Sequence, residues 1–380
     1  MKKPLLSIVV PTKNRYQYLK CLIQLIKELG SDEVEMVIQD NSDDNKDFLK
    51  YMEEKSYHFI RYDYVKEQIP MSENSDKGIL NSTGEYICFI GDDDGVTKHI
   101  IGCVQWMKEN DIEALKPAAP NYCWPDAPQG RSADICYYPF SGNIRMAVPY
   151  EELIKVLKDG IQSRGEMPLA YHSIVRRDVM DIVYKQCGTY FPGNSPDISN
   201  AVALSLVVKK YAIVDVPIAY SGSSAFKGGG VFARGNADPA INEVPWFRPQ
   251  AEERWNKILP RIAAGNIIWA DSALEALHLM QRDDLQKKFN KYKCYTSLML
   301  SKPQLTKYVK EVCDNHFHLY SSYIWNFFCK IIRSSILRIG WKFGFKQKPL
   351  YVRNINNIID ASKVLEDLSG NNIFPQRKQQ

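Results

Sequence analysis

Residues 75–94 read SDKGILNSTGEYICFIGDDD, and the pattern of this stretch sets the architecture. A short helix over Lys77–Ser82 stops at Gly84. Glu85–Ile90 is an apolar run of strand length that ends at Gly91 and three successive aspartates. The same alternation precedes it. Leu5–Val10 reads as a buried strand ending at Pro11. Tyr16–Leu29 carries Leu19, Leu22, Ile23, Ile26 and Leu29 at helical spacing, with Gly30 as its stop. Val34–Gln39 is a second strand, ending at Asp40-Asn41-Ser42, and His58–Val65 a third. Thr97–Asn110 returns to helix. Strands alternating with helices predict an α/β fold with a mostly parallel sheet and helices on both faces.

In such a sheet, ligands bind beyond the carboxyl ends of the strands. The topology therefore gathers three distant clusters at one edge: Pro11–Arg15, Asp40–Asp43 and Gly91–Asp94. Residues 117–149, rich in Pro, Tyr and Trp, read as a long loop or a short β-excursion near that edge. Pro149–Gly160 and Asp197–Lys209 are helical, Leu169–Arg176 is a strand, and Ala212–Val216 closes the sheet. Ser221–Ala237, with Gly228-Gly229-Gly230, has the composition of a lid loop. A helical pattern runs from Glu252 to Phe317. The expected organisation is a catalytic α/β domain at 1–245, a helical extension at 246–317 and a basic C-terminal region at 318–380.

Composition excludes several classes. The 380 residues show no repeat or low-complexity tract. Nine scattered cysteines without a C-x-x-C pair argue against a disulfide framework or a zinc site, and point to a reducing, cytoplasmic setting. The run Leu5–Val10 is too short for a signal-peptide core, and no apolar stretch reaches the ~18 residues of a membrane span. The net charge of +5 is unevenly spread. Between Asp314 and Asp360 there is no acidic residue, while seven basic ones occur. Setting those seven aside leaves 42 basic residues against 44 acidic, so the basic character belongs to this segment.

The polar clusters carry the chemistry. Adjacent carboxylates at Asp92, Asp93 and Asp94 repel one another, and a hard divalent cation shared with ligand phosphates relieves that repulsion. The competing reading is a helix start, since Asp favours that end and Thr97 onward is helical. Asp40 can accept the imino N–H of a uracil ring, or close an Asx-turn with Asn41 and Ser42. The loop Pro11–Arg15 lacks G-x-G-x-x-G, which disfavours a nicotinamide or flavin site. Thr12 and the loop backbone can touch a base and Arg15 a phosphate; alternatively Arg15 is a solvated residue at a helix start.

Taken in order, PTKNR, QDNSDD, SDKGILNSTGEYICFIGDDD and SPDISNA resemble the family 2 glycosyltransferases over residues 4–220. The resemblance implies a GT-A fold, Rossmann-like, here followed by a C-terminal helical region. It implies nucleotide contacts from Pro11, Thr12, Asn14 and Arg15, base recognition by Asp40, and nucleotide binding by Lys77. It maps the D-x-D motif to Asp92 for ribose and to Asp93 and Asp94 for Mn2+ or Mg2+, with Gly91 standing where the family usually has its first aspartate. Asp197, opening a helix after Pro196, matches the family's catalytic base; taken alone it reads as a helix N-terminal aspartate. The implied reaction is a single inverting displacement. One sugar passes from a nucleotide-sugar, of the uridine diphosphate type, to a glycan or a polyprenyl-diphosphate-linked glycan in bacterial polysaccharide or O-antigen synthesis. Lys227 and Arg234 either close over the phosphates or stay solvated, and His172 reads as structural. The processive Q-x-x-R-W motif is missed because Ala251 precedes Arg254-Trp255, so one sugar per encounter is expected. The rival readings are a sugar-1-phosphate nucleotidyltransferase, disfavoured by the glycine-free first loop, and an inactive sugar-nucleotide-binding scaffold.

In the basic segment, Trp325, Phe328, Ile332, Ile336, Ile339 and Phe343 share one helical face, and Lys330, Ser334, Arg338 and Lys342 fall on the opposite face. This pattern fits a helix lying on anionic lipid, peripheral to the inner face of a cell membrane, or one packed on the protein with its basic side in water. No nucleic-acid recognition motif accompanies the charge.

Overall fold

The computed structural model describes residues 3–127, 131–225 and 240–370. The first half alternates β1 Leu6–Thr12, α1 Tyr16–Glu28, β2 Val34–Asp40, α2 Lys46–Lys55, β3 Ile60–Tyr64, α3 Met71–Leu80, β4 Tyr86–Phe89, β5 Gly95–Val96 and α4 His99–Glu109. Then follow β6 Ala114–Ala118, β7 Asn121–Cys123, β8 Asp134–Tyr137, β9 Ile144–Ala147, α5 Pro149–Lys158, β10 Ile174–Arg176, α6 Arg177–Cys187, α7 Pro196–Val207, β11 Tyr211–Pro217 and β12 Ala219–Ser223. The remainder is α8 Ala251–Arg254, α9 Gly265–Leu279, α10 Lys291–Ser301, α11 Thr306–Val312, α12 His316–Lys342, β13 Leu350–Arg353 and α13 Ile358–Ser369.

The main sheet has the order β3-β2-β1-β4-β10-β6-β11-β9. Pairing is parallel from β3 through β4 and between β6 and β11. Every residue of β2 is buried, as expected of a strand covered on both faces. On one face pack Leu19, Leu22 and Ile23 of α1 and Ile100 and Cys103 of α4. On the other lie Ile79 of α3 and Val179, Met180 and Val183 of α6. Gly78 lets α3 sit tight on the sheet, because a β-carbon there would stand 2.9 Å from Val9 and 3.2 Å from Gln39.

Four features differ from the sequence expectations. The strand expected over Leu169–Arg176 is confined to β10. Ala170 and His172 make backbone bonds to Phe89, and His172 then turns at φ +58°. The chain comes back antiparallel between β4 and β6. Second, β11 does not close the sheet, because β9 pairs antiparallel along its outer edge. The 117–149 stretch is thus a β-excursion, whose β7 and β8 enter a second sheet ordered β13-β8-β7-β12-β5.

Third, the expected boundary at 245 does not divide the core. Leu274 and Leu277 of α9 and Leu298 of α10 share one cluster with Leu153 of α5 and Ile198 and Val202 of α7. Fourth, the expected 318–380 unit is split. β13 pairs with β8, and α13 buries Ile358, Ala361 and Leu365 in the core of the first domain. Burying a Leu or Ile side chain contributes about 1.5–3 kcal/mol, so Ile358 and Leu365 anchor α13 firmly. Tyr122 Oη and Tyr220 Oη donate to the carbonyls of Ile355 and Ile358, at 3.1 and 2.7 Å. α12 is exposed along most of its length but packs on α10 and places Leu319 in the second core cluster.

Candidate active site

Strand register brings the clusters together. Thr12, last in β1, lies opposite Asp40, last in β2, and Val9 of β1 lies opposite Phe89 of β4. All three strands therefore end at one edge. Gly91 N–H donates to Asp94 Oδ2 at 2.6 Å, which folds the acidic run into a tight turn. A β-carbon at Gly91 would come within 3.0 Å of Asp94 Oδ2 and 3.2 Å of Asp93 Oδ1. The absence of a side chain at Gly91 thus keeps room for the next carboxylates.

The three aspartates face different partners. Thr12 Oγ1 donates to Asp92 Oδ2 at 2.6 Å. The Arg15 guanidinium pairs with Asp92 and, at 2.6 Å, with Asp93 Oδ1. Asp93 Oδ2 accepts from Ser224 Oγ at 2.6 Å, and its carbonyl accepts from Trp124 Nε1 at 2.8 Å. Burial pushes the Asp92 carboxyl up to about 7; Arg15 opposes that rise and Asp93 adds to it. Burial works against the Arg15 charge, but Asp92 and Asp93 reverse the effect and raise its pKa.

Asp94 is held differently from Asp92 and Asp93. It is fully buried, Gly222 N–H donates to Oδ1 at 2.7 Å, and His172 Nε2 lies 2.6 Å from Oδ2, which also holds Gly91. It ties β4, β10 and β12 together from beneath the site. Asp92 and Asp93 do suit a hard cation, which normally takes one or two protein carboxylates beside phosphate and water oxygens. Two buried carboxylates share a single guanidinium there, so negative charge is in excess. Among the described residues no group of three or more His, Cys, Asp or Glu side chains is arranged to hold a metal.

Around this centre stand the other expected residues. Asp40 is buried; its Oδ1 accepts from Ser42 N–H at 2.9 Å, closing the Asx-turn, and its Oδ2 accepts from Tyr16 and Tyr62 hydroxyls, both at 2.7 Å. Asn14, at φ +57°, donates its N–H to Ser42 Oγ at 2.7 Å and joins the first two loops. Pro11 is the one half-buried residue of β1, just before the buried Thr12, and Lys77 is half-buried on α3. Asp197 lies in the first turn of α7, after Pro196, with its side chain one-third exposed (33%) and Arg164 Nη1 at 3.4 Å. Burial, with the charges of Asp94, Asp197 and Asp93 adding to it, holds the Tyr171 hydroxyl protonated, and its ring packs against Phe89 and His172. The Asp197 loop is braced by the extension, since Ser195 N–H donates to Ser272 Oγ of α9 at 2.9 Å.

Sequence reasoning missed Trp124, Gly222 and Ser224, and it set His172 aside. None carries a local signal; they reach the site from β7, β12 and the turn before β10. Lys227, Arg234 and the glycine triplet lie outside the described residues.

Comparison with known proteins gives three findings. Residues 7–163 match the family model described as Glycosyl transferase family 2. The GalNAc(5)-diNAcBac-PP-undecaprenol beta-1,3-glucosyltransferase of Campylobacter jejuni subsp. jejuni serotype O:2 is 30% identical over 96 residues, which is 24% of this chain and 30% of that protein. S. aureus TarS 1–349 in complex with UDP-GlcNAc is 13% identical with a TM-score of 0.46, covering 80% of this chain and 83% of that one. The same fragment in complex with UDP is 16% identical with a TM-score of 0.42, covering 58% and 60%. The chain thus spans less than a third of the length of its curated relative.

Proposed function

We propose, since residues 7–163 match the model of glycosyl transferase family 2, that the chain transfers one sugar from a nucleotide-sugar, of the uridine diphosphate type, to a glycan acceptor. The observation that carries this reading is the cluster of Thr12, Arg15, Asp92 and Asp93 at the strand ends. Arg15 offers a cation to the diphosphate, and Asp92 takes the ribose hydroxyls. Asp40 receives the base imide N–H in exchange for one tyrosine hydroxyl, with Pro11, Thr12 and Asn14 forming the wall and Lys77 adding charge. Asp93, with Asp92, would hold a divalent cation, which when bound supplies Lewis-acid stabilisation of the leaving diphosphate.

Asp197 acts as general base. It is exposed enough to meet an acceptor hydroxyl, and Arg164 orients it. The acceptor oxygen forms its bond to the anomeric carbon as the bond to the diphosphate oxygen breaks. The proton goes to Asp197, the electron pair leaves with the nucleoside diphosphate, and the configuration inverts. The Campylobacter relative has a PP-undecaprenol-linked glycan in its name, which favours a lipid-linked glycan acceptor in bacterial surface-polysaccharide synthesis. The test is nucleoside diphosphate release from a panel of sugar nucleotides, with manganese and with chelator. Turnover of a uridine diphosphate sugar supports the reading; no turnover of any donor overturns it, and turnover untouched by chelation removes the metal from it.

A further inference from the structure

We infer that α12 is an interfacial helix that lies flat on an anionic lipid surface. This goes beyond the transfer reaction and does not depend on it. Of the 27 residues of α12, only Leu319 and Gly340 are buried. Its start is tied to α10 by Asn326 Nδ2, which donates to Thr296 Oγ1 at 2.6 Å. The chain that follows it continues into β13, paired with β8, and α13, buried in the core. Trp325, Phe328, Ile332, Ile336 and Ile339, with Phe343 just past the helix end, form one face, each between 52% and 69% exposed. A helix of this length is ~40 Å long at 1.5 Å per residue. Such a continuous apolar face is larger than water-exposed surfaces of monomeric proteins normally leave bare.

Charge decides what covers it. Arg333 and Lys342 flank the face, Lys330 and Arg338 lie on the far side of the helix, Lys346 and Lys348 follow, and no acidic residue lies between Asp314 and Asp360. A second copy of α12 would bring only like charges together. An anionic lipid surface meets the same residues with opposite charge while its acyl region takes the apolar face. The tryptophan and phenylalanines suit the headgroup level. No helix among the described residues is long and apolar enough to cross a membrane, so α12 lies on the surface and does not span it.

The experiment is co-sedimentation of the full chain with pure phosphatidylcholine vesicles and with phosphatidylglycerol–phosphatidylcholine vesicles. Binding is expected to the second kind and to fall with salt. Each flanking cation removed should lower the partition roughly fivefold, so Arg333→Gln with Lys342→Gln should lower it roughly 25-fold. Phe328→Ser with Ile336→Ser should abolish binding; both side chains are exposed, so the fold, read by circular dichroism, and donor turnover in solution should persist. Equal binding to both vesicle types, no binding to either, or binding unmoved by these variants would overturn the inference. Concentration-dependent dimers that the Phe328→Ser/Ile336→Ser variant loses would assign the face to a second copy instead. Loss of donor turnover with vesicle binding intact would count against the proposed reaction alone.

Discussion

Replacing Arg15 by methionine keeps most of the side chain's length and removes the charge that Asp92 and Asp93 share. Both aspartates are 2% exposed, so water cannot take over from the guanidinium. Removing one partner of a buried pair costs about 3–5 kcal/mol, because the other charge stays buried without compensation. Unfolding entropy of ~2.1 cal/mol/K per residue, summed over the chain's 380 residues, is ~0.8 kcal/mol/K. A cost of about 4 kcal/mol then lowers Tm by about 5 °C if the chain unfolds as one unit. Manganese should restore much of this, since it brings positive charge to the same oxygens. At 100 times its Kd, a ligand of the folded state adds about 2.7 kcal/mol, or about 3 °C here. The assay is thermal unfolding of both proteins near neutral pH, first in chelator and then in rising manganese. An unchanged Tm for Arg15→Met in chelator would refute the shared-cation argument. A lowered Tm that manganese leaves untouched would refute Asp92 and Asp93 as a metal seat.

Three further outcomes are expected. Asp197→Asn should keep donor affinity by calorimetry and lose transfer by about 10²–10⁴-fold; full transfer would remove Asp197 as the base. Gly222→Ala should destabilise the chain and weaken donor binding together, because a β-carbon there would fall on the Asp93 carbonyl; wild-type donor affinity in a folded variant would separate β12 from the site. Burial raises the Asp271 carboxyl from its ordinary 3.8 to about 7, while Asn256 N–H, which donates to it, pulls the other way. The folded state therefore holds that proton more tightly, and its contribution to stability is complete below pH ~4 and lost as pH rises through about 7. Asp271→Asn should remove this slope, so denaturant curves of the two proteins that stay parallel across the window would contradict it.

The structure also redirects one obvious experiment. Deleting residues 318–380 would look like a clean removal of a basic tail, yet it takes β13 from β8 and α13 from the core. Point changes on α12 isolate the lipid question without that damage.

The alternation of helix and strand through α4, and the three strand-end clusters, were legible in the sequence because they rest on local rules. Periodicity, strand length and turn residues act over a few positions, and parallel strands must end their turns at a common edge. The amphipathic face of α12 was legible for the same reason. Other features depend on packing between distant parts of the chain. Nothing near Asp94 in sequence announces that Gly222 and His172 will take its oxygens. No periodicity in the last twenty described residues indicates that Ser362 Oγ will donate to the Val96 carbonyl beside the acidic run. The sequence by itself determined which groups stand at the strand ends. Only the tertiary structure decided that Asp92 and Asp93 share Arg15 while Asp94 turns inward, because partners 77 to 128 residues apart meet only when the sheets have formed.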